Sequence, residues 1–232
     1  YCSPISYIKT NVEGTYNVLE SARYNKKIKK IIITSSSEVY GMPEEGDDIP
    51  ITETNPIRAA NPYSISKVGH DLMSQYYAKA FDMRVIITRM FSHEGARRGK
   101  RFALSSFAHQ IVMSEKGYGD YGVRHGNLES VRTYNHIDDA VHAYWLAVDK
   151  CEYGEVYNIG GGRFSNCSIL EALDLVESIT GINIKREIVK KPRVGDHIWY
   201  ISNLNKFKKH YPSWKQKYNT KKIIEELIEN QI

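Results

Sequence analysis

Two short runs of β-branched residues, separated by a helical pattern, constrain the fold of this chain more than any other feature. Residues 30–34 and 84–89 are mainly apolar, as is typical of strands that a parallel sheet buries on both faces. Apolar residues at helical spacing occupy 5–24 and 62–80, and Pro62 lies in the first turn of the second helix. This alternation predicts parallel βαβ units with right-handed crossovers, and therefore an α/β fold.

After residue 92 the pattern changes, which predicts a second, smaller and mostly helical domain. Further helices are expected at 102–115 and 137–149, a strand at 155–159, and a short extended piece near 184–189. The two predicted domains are a dinucleotide-binding domain over 1–92 and 133–162 and a substrate-binding domain over 93–132 and 163–232.

The start of the chain lacks one segment that this class of fold needs. A dinucleotide-binding fold opens with a strand, a glycine-rich turn and a helix. No such segment precedes residue 30, and the G-x-G-x-x-G match at 117–122 follows a helix instead of a strand. We therefore expect a Rossmann-type parallel sheet that lacks its first strands in this chain, as part of a longer enzyme.

Composition narrows the classes of partner. The 232 residues are 41% hydrophobic, and the 32 Lys and Arg residues are scattered among 27 Asp and Glu residues, so nucleic-acid binding is not expected. Cys2, Cys151 and Cys167 have no metal-ligand or redox spacing, which fits a reducing cytoplasm and predicts no metal site. No apolar run reaches the roughly 18 residues that a membrane span requires.

A tyrosine and a lysine follow the first predicted strand. Tyr63 and Lys67 lie four residues apart on one helical face, so the ammonium could lie near the phenol. A phenol with a pKa of about 10 is a poor base near neutrality, and lowering that pKa by about three units requires roughly 4 kcal/mol. Lys67 and an oxidised nicotinamide could supply it, and Ser36 could hydrogen-bond the same substrate oxygen. Tyr63 is thus predicted to take a proton from a substrate hydroxyl as hydride leaves.

A carboxylate completes this pattern. Glu38 lies two residues after Ser36, at the exit from the strand, so its side chain is expected on the same face. Elimination of water from a sugar needs a carboxylate that removes one proton and delivers another. An exposed loop glutamate without a catalytic role remains the alternative.

Several longer segments resemble one enzyme family. They are Asn11-Val12-Glu13-Gly14-Thr15, Ser36-Ser37-Glu38-Val39-Tyr40-Gly41, Tyr63 with Lys67, Arg89-Met90-Phe91-Ser92-His93-Glu94, Arg97-Arg98-Gly99 and Gly126-Asn127-Leu128-Glu129-Ser130-Val131-Arg132. On these segments residues 1–162 resemble the extended short-chain dehydrogenase/reductases of the NAD-dependent epimerase/dehydratase family, most of all its GDP-mannose 4,6-dehydratases. The remainder, including Arg193-Val194-Gly195-Asp196-His197, is more similar to relatives of CDP-paratose 2-epimerase.

The resemblance implies a role for individual residues. The implied catalytic residues are Ser36, Glu38, Tyr63 and Lys67. The implied cofactor-binding residues are Ser35, Tyr63, Lys67, His93 and Arg98. The implied substrate-binding residues are Ser37, Ser92, Asn127, Arg132 and Arg193, with a surface ion pair as the alternative for either arginine. The cofactor is then NAD or NADP, the substrate a nucleotide-diphosphate sugar, and the assembly a homodimer or homotetramer.

The implied activity is that of a nucleotide-sugar 4,6-dehydratase. Ser92 and Ser36 stand where the family carries asparagine and threonine, and Gly95-Ala96 stands where it carries Ser-Pro. One alternative is therefore an epimerase or a UDP-glucuronate decarboxylase of the same superfamily. A second alternative is a non-catalytic remnant, because the segment that would cradle the pyrophosphate is missing.

Overall fold

The computed structural model describes residues 3–25, 27–118, 122–149, 153–188 and 198–230. The helices in these ranges are α1 Pro4–Tyr7, α2 Gly14–Tyr24, α3 Pro62–Ala80, α4 Ala103–Glu115, α5 Ile137–Asp149, α6 Ile169–Thr180, α7 Asn205–His210 and α8 Thr220–Glu229. The strands are β1 Ile31–Ser36, β2 Val85–Met90, β3 His93–Glu94, β4 Gly122–His125, β5 Val131–Thr133, β6 Asn135–His136, β7 Val156–Ile159, β8 Asn166–Ser168, β9 Lys185–Ile188 and β10 Trp199–Tyr200. No helix within these ranges is both long and apolar enough to cross a membrane.

The largest sheet confirms the predicted α/β fold. Its three strands are parallel and lie in the order β1-β2-β7, with Ile31 opposite Val85 and Ile87 opposite Val156. Every residue of the central strand β2 is buried, as expected for a parallel strand that is covered on both faces. The carboxyl ends of all three strands lie at one edge, where the candidate site is found.

The first helical segment differs from the continuous helix predicted over 5–24. A π-helical turn at Ile8–Glu13 separates α1 from α2, and the Gly14 N–H bonds to the Lys9 carbonyl oxygen. This turn lies against α3, where Asn11 Nδ2 donates to Ser66 Oγ at 2.9 Å. A π-helical turn shifts the helical spacing by a single residue, too small a change for an apolar pattern to reveal.

Helix α3 has a well-defined start that positions the candidate tyrosine. Asn61 accepts a hydrogen bond from the Ser64 N–H at 2.9 Å, and Ser64 Oγ accepts one from the Asn61 N–H, also at 2.9 Å. Pro62 occupies the first helical position. This reciprocal capping box satisfies two backbone donors, and it fixes Tyr63 in the first turn, above the end of β1.

The second part of the molecule contains more strand than the sequence predicts. The expected extended piece near 184–189 is present as β9, which pairs with β4. In addition, β5 pairs with β8 and with β10, and β3 pairs with β6. These added strands are two or three residues long, too short for an alternating pattern to be recognised. The boundaries between the two predicted domains stay a prediction.

Candidate active site

The end of β1 turns sharply and presents its polar side chains at the carboxyl edge of the sheet. Ser36 caps a short 3-10 turn, Ser37–Tyr40, by accepting a hydrogen bond from the Glu38 N–H at 3.2 Å. The turn ends at Gly41, whose φ of 60° is one that other residues rarely adopt, and a Cβ there would lie 1.9 Å from the Arg58 carbonyl oxygen. Glycine is therefore required at this corner.

Tyr63 lies beside Ser36 and Glu38, as the sequence predicts. Its side chain is half-buried, and this burial is the main reason why its pKa is raised above the usual value. A hydrogen bond with Ser36 acts in the opposite direction, while the charge of Glu38 raises the pKa further. The Ser36 hydroxyl oxygen accepts from the backbone N–H of Glu38. The Ser36 hydroxyl proton can therefore point to the Tyr63 oxygen. The three groups thus share one site.

Lys67 reaches the backbone of the same strand. Its Nζ donates to the Thr34 carbonyl oxygen at 2.6 Å, and burial lowers the pKa of the ammonium while the charge of Asp71 opposes this shift. Lys67 is not among the groups that shift the pKa of Tyr63. The four-residue spacing places both residues over β1, and the lysine side chain is bonded to the backbone of the strand.

Glu38 reaches the first residue of the capping box of α3. Its Oε2 accepts from Asn61 Nδ2 at 3.5 Å, the outer limit of a hydrogen bond. The charge of Glu38 also raises the pKa of Tyr200, after the larger effect of burial, and the Tyr200 hydroxyl donates to the Ser37 carbonyl oxygen. Tyr200 and Asn61 are therefore site residues that the sequence did not single out.

A buried polar network supports the site from below. Arg89 donates from Nε and Nη2 to the two carboxylate oxygens of Asp71, both at 3.0 Å, and Ser35 Oγ donates to the same carboxylate at 2.6 Å. Arg89 Nη1 also donates to the Tyr40 hydroxyl at 3.0 Å, which in turn donates to Asn158 Oδ1 at 2.7 Å. Burial alone would raise the pKa of Asp71, but the bonds from Arg89 and Ser35 outweigh it and lower that pKa. The Ser35 hydroxyl thus points into this network.

The residues after β2 form a second group near the strand ends. His93 Nδ1 lies 3.3 Å from the Phe91 carbonyl oxygen, and burial lowers the pKa of the imidazole, with the charge of Arg98 adding to the effect. The guanidinium carbon of Arg98 lies 3.3 Å from the centre of the Phe102 ring, and its Nε lies 3.7 Å from Glu94 Oε2. Burial raises the pKa of Glu94 to about 7, although the charge of Arg98 opposes this.

The predicted substrate residues are spread over several elements. Asn127 is exposed, and its Oδ1 accepts from the Glu129 N–H at 3.0 Å. Arg132 lies opposite Tyr200 in the pairing of β5 with β10, and its charge acts on the Tyr200 phenol. The Ser92 carbonyl oxygen accepts a hydrogen bond from the Asn135 N–H at 2.9 Å. Arg193 lies outside the described residues.

The arrangement favours acid–base chemistry. A phenol, a hydroxyl and a carboxylate meet at the carboxyl ends of parallel strands, which is where ligands bind in open α/β sheets. Within the described ranges, no three His, Cys, Asp or Glu side chains lie close enough together to hold a metal ion.

Comparisons with known proteins agree with this architecture. A family model described as GDP-mannose 4,6 dehydratase matches residues 1–227, so the likeness extends well beyond the 1–162 range expected from the motifs. The dTDP-D-glucose 4,6-dehydratase of Dictyostelium discoideum is 33% identical over 189 residues, which are 78% of this chain and 41% of that protein. The chain thus spans less than half of that relative.

Two solved structures share the fold. RMD from Pseudomonas aeruginosa, complexed with NADPH, superposes with a TM-score of 0.89 at 22% identity, over 99% of this chain and 75% of that one. The dTDP-glucose 4,6-dehydratase of Bacillus anthracis, in complex with NAD, superposes with a TM-score of 0.82 at 26% identity, over 99% and 70% of the two chains. On these matches, the chain belongs to the GDP-mannose 4,6 dehydratase family, within the NAD-dependent nucleotide-sugar dehydratases and epimerases.

Proposed function

We propose that this chain carries the catalytic groups of a nucleotide-sugar 4,6-dehydratase, with GDP-mannose as the first substrate to test. The observation that supports this most is the meeting of Tyr63, Ser36 and Glu38 at the end of β1. A simple 4-epimerase needs only the phenol and the hydroxyl, whereas loss of water needs an additional carboxylate.

Each residue has a defined proton to move. Tyr63, as the phenolate, takes the proton from the hydroxyl on sugar carbon 4, and Ser36 hydrogen-bonds the same oxygen. The new ketone acidifies the proton on carbon 5, which Glu38 removes and then delivers to the hydroxyl leaving carbon 6, so that one water is lost. When bound, NAD or NADP would supply the acceptor for the hydride of carbon 4 and the donor of that hydride to carbon 6. Carbon 5 would regain a proton at this last step from Tyr63, which thereby returns to the phenolate.

The raised pKa of Tyr63 sets a requirement on this mechanism. Burial and Glu38 hold the phenol in its protonated form, and each unit by which its pKa must fall costs about 1.4 kcal/mol. Lys67 Nζ is hydrogen-bonded to the Thr34 carbonyl oxygen and is not among the groups that shift the pKa of Tyr63, so we assign the lowering of that pKa mainly to the positive charge of an oxidised nicotinamide. We therefore expect Tyr63 to act as a base only in the cofactor complex.

The residues that would hold the cofactor fit such a ligand. An ammonium carries three donors, and one of those on Lys67 is used on the Thr34 carbonyl oxygen, which leaves two for the ribose hydroxyls of NAD or NADP. His93 and Arg98 follow the carboxyl end of β2 by three and eight residues, and the Ser35 hydroxyl donates to Asp71 within the buried network at the end of β1.

The substrate would bind across the second part of the molecule. Arg132 and Arg193 suit the diphosphate, since guanidinium groups form paired hydrogen bonds with phosphate oxygens. Ser37, Ser92 and Asn127 would contact the sugar or the base. We expect the active form to be a homodimer or a homotetramer in a reducing cytoplasm.

A product assay tests this function and separates it from its alternatives. The full-length protein is incubated with GDP-mannose and with either NAD or NADP, and a 4-keto-6-deoxy sugar is detected by its absorbance in alkali. An epimerase yields no such product, and a decarboxylase acting on UDP-glucuronate releases carbon dioxide. A remnant shows no saturable binding of NAD(H) or NADP(H), an outcome that would refute the proposal.

The carboxylate is tested by a matched pair of variants. Glu38→Gln should abolish formation of the 4-keto-6-deoxy sugar, because the amide cannot remove the proton on carbon 5. Glu45→Gln replaces an exposed glutamate in the following loop and should leave the rate unchanged. Retained dehydration in Glu38→Gln would exclude the proposed role of Glu38.

A further inference from the structure

A second cleft shares no lining residue with the candidate active site. It has a volume of about 290 Å³, and its described lining consists of Phe164, Lys208, Pro212, Trp214, Lys215 and Gln216. These residues come from the loop before β8 and from the segment between the start of α7 and the start of α8.

The floor of this cleft is rigid. Trp214 is 1% exposed, and its Nε1 donates to the Asp139 carbonyl oxygen at 3.0 Å. Gln216 Nε2 donates to the carbonyl oxygens of Gly160 and Gly161 at 3.3 and 2.8 Å. These bonds tie Trp214 to α5 and Gln216 to the end of β7. A ligand would therefore meet a preformed surface, and binding would cost little entropy for ordering these side chains.

The described lining of the cleft is positively charged. The described lining holds two lysines and no carboxylate. Burial lowers the pKa of Lys208, and the charge of Lys215 lowers it further, so the two ammonium groups repel each other. Neither lysine forms an ion pair within the described residues, whereas the neighbouring Lys206 lies 2.6 Å from Glu155 Oε2. An anion placed between the two lysines would relieve this repulsion.

The remaining lining includes aromatic side chains. The Phe164 side chain is 51% exposed beside the two lysines, and Lys208 Nζ lies 5.9 Å from the centre of the Trp214 ring. A planar group could stack on Phe164 while an attached anion meets the ammonium groups.

We propose that this cleft is a second binding site, for a phosphate monoester: Lys208 and Lys215 would bind the dianion, and Phe164 would contact the organic group. Charge-assisted hydrogen bonds from two ammonium groups suit a phosphate with two negative charges. The cleft is independent of the proposed dehydratase activity, so either proposal can fail its test without affecting the other.

Calorimetric titration of the wild-type chain with phenyl phosphate and with inorganic phosphate tests this site. The ionic strength is held constant with sodium chloride, so that general screening does not imitate binding. We expect one saturable site that binds phenyl phosphate more tightly than inorganic phosphate. Lys208→Gln and Lys215→Gln should each weaken binding by about tenfold or more, and Phe164→Leu should weaken the binding of phenyl phosphate alone.

Lys221→Gln is the matched control. Lys221 is also exposed, but its Nζ lies 3.9 Å from Glu225 Oε1 and outside the cleft, so this variant should bind as the wild type does. Both cleft lysines are exposed, so each of the two variants should fold and either one can carry the test. Absence of saturable binding in the wild type, unchanged binding in both cleft variants, or an equal loss in Lys221→Gln would overturn the proposal.

Discussion

The buried pair of Asp71 and Arg89 offers a quantitative test of how the site is supported. Asp71 is completely buried and Arg89 is 4% exposed, with two hydrogen bonds of 3.0 Å between them. Asp71→Asn would leave the guanidinium charge in the interior without its counter-charge. Breaking a buried pair from one side in this way costs about 3–5 kcal/mol, a large part of the total stability of an ordinary domain.

Urea unfolding followed by circular dichroism measures this cost. With an m-value of about 2–3 kcal/mol per molar urea, the midpoint should fall by more than about 1 M. The control is Asp174→Asn, which removes one partner of the surface pair with Arg186 and should cost less than about 1 kcal/mol. The double variant Asp71→Leu with Arg89→Met should recover much of the loss, because it removes both buried charges together.

The same pair predicts a dependence on pH. The pKa of Asp71 is lower in the folded chain than its usual value, so its contribution to stability is present above the unfolded pKa of about 3.9 and is lost as the pH falls through the folded pKa. An Asp71→Asn midpoint shift no larger than that of Asp174→Asn, or a double variant less stable than the single one, would refute the account of this network.

Two further predictions concern the surroundings of the site. The pKa of Glu94 is raised from 4.5 to about 7, so ionisation destabilises the fold as the pH rises between these values. The free energy of unfolding of Glu94→Gln should equal that of the wild type near pH 4 and exceed it by up to roughly 3 kcal/mol at pH 8. Denaturant unfolding at both pH values measures this difference, and a gain in stability that does not depend on pH would contradict the prediction. Gly41→Ala should lower the free energy of unfolding by at least about 3 kcal/mol, against about 1 kcal/mol for Gly46→Ala. The reason is that a Cβ at Gly41 would lie 1.9 Å from a backbone oxygen, whereas one at Gly46 would meet open space. Equal losses of stability in thermal unfolding would contradict this prediction.

The long apolar strands and helices could be predicted from sequence, because their periodicity extends over many residues. Strands β1, β2 and β7 lie within one or two residues of the predicted ranges. The short strands could not be predicted, because their pairing depends on contacts between distant segments. For example, β10 reaches β5 from more than sixty residues away in the chain.

The site follows the same division. Ser36, Glu38 and Tyr63 could be placed together from sequence, because the carboxyl ends of parallel strands share an edge. Tyr200 could not, since it comes from a strand of two residues. The hydrogen bond from Lys67 to the Thr34 carbonyl oxygen also escaped prediction, because a side chain with four rotatable bonds has many rotamers and the spacing on a helix does not select one.

The Asp71–Arg89 pair did leave a signal in the sequence. Arg89 is the one charged residue of a strand that is buried throughout, and a buried guanidinium requires a partner. An acidic residue on the helix that covers this strand was therefore to be expected, and Asp71 lies on α3.

The central claim is that Tyr63 and Glu38 act in turn on one sugar. The most direct measurement uses GDP-mannose deuterated at carbon 4, with mass spectrometry of the product and with the absorbance of the reduced nicotinamide recorded over a single turnover. The wild type should transfer the label to carbon 6, Tyr63→Phe should show neither reduced cofactor nor product, and Glu38→Gln should form reduced cofactor without losing water. Label transfer in Tyr63→Phe, or water loss in Glu38→Gln, would contradict the account.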